Sequence, residues 1–307
     1  MIHVLLTKFR KPSALAGGFL FFSLLLFSCA SSGNLSDFQP ESKNLSYIPS
    51  QFSWQGIKDL DFAEYFFFEN KNIPLRYHCL KINLSDPSLK ILTYPNSKED
   101  FMLKDDRRTE FFKGLTAKQF SRQFDSAVTV NATPFEGKAK SKKLALLSSI
   151  RKICGIHIVS KEQFSPPVKK YGAICFLEDE NGYTGKILKN QEAGSFKECD
   201  YAFGGFFVIL QDFKKQEFQA RRADSRTALA LSEDGKTLFL LCAEGERRGK
   251  SVGLSYQDSS DILLAAGAKD AIQMDGGGST SLFVNGKNFL SYPSIRKNAV
   301  FIGFSMK

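Results

Sequence analysis

Residues 227–243 read Thr-Ala-Leu-Ala-Leu, then Ser-Glu-Asp-Gly-Lys, then Thr-Leu-Phe-Leu-Leu-Cys-Ala: two apolar runs of strand length around an Asp-Gly turn. Asp234-Gly235 supplies the positive backbone φ that a tight hairpin turn requires, so the two runs are expected to pair antiparallel. Val284-Asn285-Gly286-Lys287 repeats the signal with Asn-Gly. Outward from these hairpins, short apolar runs bounded by Gly, Asn, Asp or Pro predict further strands at residues 75–84, 89–94, 127–131, 154–160, 172–177, 206–210, 271–274, 282–284 and 299–304. Helical spacing is scarce. It predicts one helix over 116–124 and another over 259–267, the latter with Ser259-Ser260-Asp261 as capping residues and Gly267 as its C-terminal stop. The expected fold is α+β: largely antiparallel β-sheets with a few packed helices, in a single domain.

The chain has 307 residues, 43% of them hydrophobic, enough for a real core. Its first thirty residues stand apart. Lys8, Arg10 and Lys11 precede an uncharged apolar run over 13–27, too short for a comfortable membrane span, which ends in Leu26-Phe27-Ser28-Cys29. This pattern resembles a bacterial lipobox, with Cys29 as the lipidated first residue. The expected organisation is a lipoprotein signal peptide over 1–28, a flexible Ser-, Asn- and Pro-rich tether over 29–53, and a folded domain over 54–307. It places the protein outside the cytoplasm, held to a bilayer through Cys29.

Three of the 42 basic residues lie in the leader, leaving 39 against 32 acids, a balance of +7. On an exported protein this favours anionic substrates or an anionic envelope surface and argues against nucleic acid. Five cysteines remain after Cys29, none in a Cys-x-x-Cys arrangement, and only His78 and His157 lie beyond the leader. Neither a structural metal nor a cofactor is expected, and the cysteines read as small buried hydrophobes. His157, within Ile156-His157-Ile158, reads as a strand residue.

Chemistry concentrates at Met274-Asp275-Gly276-Gly277-Gly278-Ser279-Thr280. Three glycines between two apolar runs imply close backbone approach or positive φ. They present Asp275 at a strand end, followed by amides and hydroxyls that form a candidate anion nest.

Taken in order, several segments resemble the phosphodiester glycosidase family: Asn131-Ala132-Thr133-Pro134-Phe135, Ala202-Phe203-Gly204-Gly205, Ser225-Arg226-Thr227-Ala228, the Asp275 loop, and Arg296-Lys297-Asn298-Ala299. The resemblance implies a hydrolase of phosphodiester-linked sugars. On it, Asp275 and Glu244 form the catalytic pair. Arg226, Thr227, Asn131, Gly276, Gly277, Gly278, Ser279 and Thr280 bind substrate and phosphate, with Arg226 as the bidentate fork. Three positions depart from the family pattern. Asp224-Ser225 stands for His-Pro, Glu244-Gly245-Glu246 for Asp-Gly-Arg, and Ala132 for Gly. The loss of the His and of the Arg at two of them motivates a second reading, a non-catalytic surface lipoprotein that binds an anionic glycan or envelope component.

Overall fold

A computed structural model describes residues 47–137, 149–219, 222–247 and 249–307. The signal peptide, Cys29 and most of the expected tether lie outside these residues. The described end of the tether is packed: Phe52 stacks on Trp54 at 5.3 Å, and the Tyr47 hydroxyl donates to Asp261 at 2.9 Å.

Among the described residues the strands form four sheets. The largest has eight, in the order Gln55–Ile57, Leu60–Asn70, Leu75–Asn83, Thr237–Ala243, Arg226–Leu231, Asp270–Gln273, Val208–Gln211 and Lys214–Lys215. A five-stranded sheet contains Leu282–Val284, Val128–Asn131 and Phe301–Met306 side by side. A second five-stranded sheet centres on Tyr201–Gly204, and a four-stranded sheet includes Phe135–Gly137 next to Ile150–Ile153. Both expected hairpins form: Leu231 faces Leu238, with Gly235 at φ +70°, and Val284 faces Lys287 across Asn285 and Gly286, both at positive φ.

Two of the central strands look uniformly apolar because both faces of the large sheet are covered. Leu229, Leu231, Leu238 and Leu240 enter the main core shared with the five-stranded sheet. Ala228, Ala230, Phe239 and Leu241 enter a second core closed by Ile262 and Leu263 of the helix Tyr256–Ala265. Small alanines on that face leave room for the helix.

The strand Leu60–Asn70, eleven residues long, was not legible in the sequence. Its charged residues Asp61, Glu64 and Glu69 hide its pattern, and the turn to Leu75 lacks an Asn-Gly or Asp-Gly pair. The helix expected at 259–267 starts earlier. Ser255 is its N-cap, in a capping box with Asp258, while the Ser259 and Ser260 hydroxyls bond back to the carbonyls of Ser255 and Gln257. Ala117–Gln123 and Tyr256–Ala265 are the α-helices among the described residues. The molecule is β-rich with antiparallel pairing, so the expected α+β class overstates its helical part.

Candidate active site

The glycine loop is pinned between two sheets. The Met274 amide donates to the Thr227 carbonyl of the large sheet, and the Asp275 amide donates to the Ala132 carbonyl beyond Val128–Asn131, both at 2.9 Å. Asn131 fastens the junction. Its Nδ2 donates to the Asp275 carbonyl at 2.7 Å, and its Oδ1 accepts from the Thr227 hydroxyl at 2.8 Å and the Ser281 amide at 3.0 Å. Through these three bonds Asn131 and Thr227 position the loop.

Each glycine has its own reason. A Cβ on Gly276 would lie 2.8 Å from the Ser225 carbonyl oxygen, and Gly277 sits at φ +57° while donating to that same oxygen. At Gly278 a Cβ would lie 2.6 Å from Arg296 Nη2, so the missing side chain lets a guanidinium rest on the loop. Arg296 Nη1 also donates to the Ser279 hydroxyl at 3.2 Å. The loop amides are mostly consumed locally: those of Asp275, Gly277, Ser279 and Thr280 go to carbonyls, and that of Gly276 goes to the Asp275 carboxylate. Few loop amides are thus left as donors, whereas the Arg296 guanidinium lies against the loop.

Part of Asp275 still reaches solvent, yet the surroundings of its carboxyl group are dense. Desolvation pushes its pKa up to about 6, against the opposing pull of the Ser279 hydroxyl, the Arg296 charge and the Gly276 amide. Arg296 opens onto a cleft of about 530 Å³, lined by Gly277, Gly278, Tyr292 and the cations Arg151, Arg247 and Lys297. Glu246 also lines it, but its carboxylate is held by Arg222 at 2.7 Å.

Asp275, Gly276, Gly277, Gly278, Ser279, Thr280, Asn131 and Thr227 thus come together. Glu244 does not join them. It is wholly buried, and its Oε1 accepts from His78 Nε2 at 3.2 Å and the Ser291 amide at 2.9 Å, with Arg76 Nε at 3.5 Å. Its Oε2 accepts from the Ser291 hydroxyl. Burial opposes ionisation, but these donors outweigh it and hold the carboxyl near 2. His78 completes the network. Burial lowers its pKa, and a neutral ring with its proton on Nε2 accepts from the Tyr65 hydroxyl at Nδ1 and donates to Glu244. Glu244 supports the segment that carries Tyr292 into the cleft and lies outside the place where a catalytic pair was expected.

Arg226 also turns elsewhere. Its Nε donates to the Leu254 carbonyl at 2.9 Å, its Nη2 to the Arg222 carbonyl at 2.8 Å, and its guanidinium stacks 4.4 Å over Tyr256. The expected phosphate fork therefore packs against the helix. The guanidinium that does reach the loop is that of Arg296, from the closing Arg-Lys-Asn-Ala segment, for which the sequence suggests no role. Asp224 was noted as a departure from the family pattern. The structure sets its carboxylate oxygens 3.8 and 3.9 Å from the Cβ position of Gly277, and Gly253 and Gly245 pack against the backbone at Asp224 and Ser225. His157 accepts its structural role, with Nε2 bonded to the Pro95 carbonyl at 2.7 Å in full burial.

Fold and site together define a β-rich protein with a carboxyl of raised pKa in a glycine loop whose Gly277 and Gly278 line a basic cleft together with Arg296. The phosphodiester glycosidase family model matches residues 113–304, more than half of the chain, and the protein belongs to that family. Membership points to a hydrolase acting on phosphodiester-linked sugars. Solved structures share the fold at low identity. A hypothetical protein from Synechocystis is 14% identical with a TM-score of 0.58 over 84% of this chain, which spans 64% of that protein's length. The catalytic domain of zebrafish N-acetylglucosamine-1-phosphodiester alpha-N-acetylglucosaminidase, auto-inhibited by its pro-peptide, is 13% identical with a TM-score of 0.57 over 86% of this chain and 91% of its own. A Burkholderia pseudomallei protein described as exported is 11% identical with a TM-score of 0.54, covering 75% and 74% of the two chains. No curated protein matches the sequence significantly.

Proposed function

We propose that this chain is a lipid-anchored, extracytoplasmic glycosidase that cleaves the sugar–phosphate bond of a phosphodiester in envelope glycopolymers or glycoconjugates. The observation that carries this reading is Asp275 with its carboxyl raised to about 6, beside Arg296 on a cleft lined by cations. The name of the zebrafish relative describes that chemistry for that protein.

Arg296 would grip the phosphate oxygens, as a guanidinium binds phosphate bidentately. Bringing that negative charge next to Asp275 diverts the cation that favours its ionised form and adds a repelling neighbour, so its pKa rises further on binding. Asp275 is then protonated where the anomeric bond breaks and delivers its proton to the leaving phosphate oxygen. Asp224, whose carboxylate oxygens lie 3.8 and 3.9 Å from the Cβ position of Gly277, is the candidate to activate water or stabilise positive charge on the sugar. Asn131 and Thr227 hold the loop in place. The basic cleft and the polar loop also fit a sugar phosphate as a ligand without chemistry, the second reading.

The test is release of sugar from a panel of sugar 1-phosphodiesters by residues 31–307, with Asp275→Asn and Asp224→Asn as controls. Turnover lost in Asp275→Asn supports the enzyme. Tight glycan binding with no turnover, unaltered by Asp275→Asn, would replace it with the binding protein.

A further inference from the structure

The cleft lined by Gly277, Gly278 and Arg296 carries more positive charge than a single phosphodiester needs. A sugar 1-phosphodiester bears one negative charge, and one guanidinium fork satisfies it. Arg296 already occupies that position, resting on the bare face of Gly278 and donating to Ser279. Arg247 lines the same cleft, and it is a built feature rather than a loose surface arginine. Its backbone is closed against Ser251 by two reciprocal hydrogen bonds of 2.9 Å, and its guanidinium lies 4.3 Å over the Tyr292 ring. Tyr292 is fixed in turn: Asn288 Nδ2 donates to its carbonyl at 2.6 Å, and the preceding Ser291 amide donates to buried Glu244.

Stacking occupies the face of a guanidinium and leaves its N–H edge available in the plane. Among the described residues no carboxylate pairs with Arg247, and Glu246, the acid next to it in the chain, is already engaged by Arg222. A pre-oriented, uncommitted guanidinium facing a cleft that already holds one phosphate-binding arginine calls for a second anion on the ligand. Lys297, in the same lining, adds to that demand.

We infer that the substrate of this site is a phosphodiester whose aglycone carries a second phosphate group, the second group being held by Arg247. This rests on the reading of the cleft as a phosphodiester site and specifies its substrate class: a chain in which phosphates repeat, in preference to an isolated diester with an uncharged aglycone.

The test uses sugar-free probes, so that it stands apart from turnover. Dimethyl phosphate carries one charge; glycerol bearing a methylphosphate on each terminal oxygen carries two. Binding of both to the full chain is measured by calorimetry at low and high salt. The doubly charged probe is expected to bind at least about tenfold tighter at low salt, an advantage that shrinks as salt rises. In Arg247→Gln the ratio of the two affinities should fall to within about twofold, while thermal melting confirms that the variant is folded. Equal affinities in the native protein, a ratio unchanged by Arg247→Gln, or no binding of either probe would overturn the inference. Failure to hydrolyse any sugar phosphodiester, with the affinity ratio intact, would count against the enzyme alone.

Discussion

Asp275 and Glu244 leave the same edge of the same sheet, one on each side of the strand Arg226–Leu231. Thr237–Ala243 and Asp270–Gln273 both pair antiparallel with that strand, so both acids follow strand ends at the level where Arg226 begins. Their chemistry nevertheless diverges. Glu244 has no exposed surface and is met by His78, Arg76 and two donors from Ser291, which keep it ionised down to about 2. Asp275 has one nearby cation and a hydroxyl, too little to offset its desolvation, and rests near 6. A carboxylate whose charge is fully answered by its surroundings is a structural element. One left short of partners is available for proton transfer.

Replacing each acid by its amide is the sharpest way to break the comparison. Asp275→Asn should lower kcat on any cleaved phosphodiester by about 10²–10⁴, since it removes the transferable proton. The same change should stabilise the fold. A carboxyl whose pKa is raised on folding contributes stability below its unfolded value near 3.8 and loses it as pH rises through about 6. At about 1.4 kcal/mol per pH unit, Asp275→Asn gains up to about 3 kcal/mol at pH 8 and almost nothing at pH 3 in urea melts. Equal gains at both pH values would show that the charge of Asp275 costs the fold nothing.

Glu244→Gln should act in the opposite sense, destabilising by about 3–5 kcal/mol in urea melts, because it strips a buried network of its charge. The depressed carboxyl contributes stability above its unfolded value near 4.5, lost as pH falls toward 2, so the penalty of Glu244→Gln should vanish in acid. A folded Glu244→Gln that loses kcat by more than about 10²-fold with KM unchanged would restore Glu244 to the chemistry.

A third, smaller effect concerns the pH profile. With Asp275 acting as an acid, kcat/KM should fall above about pH 6 in the free enzyme, by about tenfold per unit, and the limb for kcat should lie higher because bound phosphate raises the same group. A profile that instead rises through pH 6 would make Asp275 the base. Arg226→Gln is the mildest change: about 1–2 kcal/mol of stability through its two carbonyl bonds and Tyr256, with KM for a phosphodiester within about threefold. A tenfold rise in KM would return the phosphate to Arg226.

The hairpins at Asp234-Gly235 and Asn285-Gly286 were readable because turn geometry is set by local backbone sterics. The glycine loop was readable as a site for the same reason. Leu60–Asn70 was not, since its strand pattern mixes with charged residues that only its place in the sheet explains. Arg226 and Arg296 illustrate the same limit in the site. Both stand in family-ordered segments, and nothing local says which guanidinium reaches the loop. Strand alternation and the neighbouring helix Tyr256–Ala265 draw Arg226 toward Tyr256, whereas the bare face of Gly278 receives Arg296.

By itself, then, the sequence determined antiparallel hairpins, the glycine loop with its single carboxylate, and the family. These depend on backbone conformations and residue order, which neighbours in sequence specify. Tertiary structure alone decided which acid is left to titrate and which cations face the cleft. Those properties depend on desolvation and on donors brought from segments tens to hundreds of residues away, such as Ser291 to Glu244 and Arg296 to Ser279.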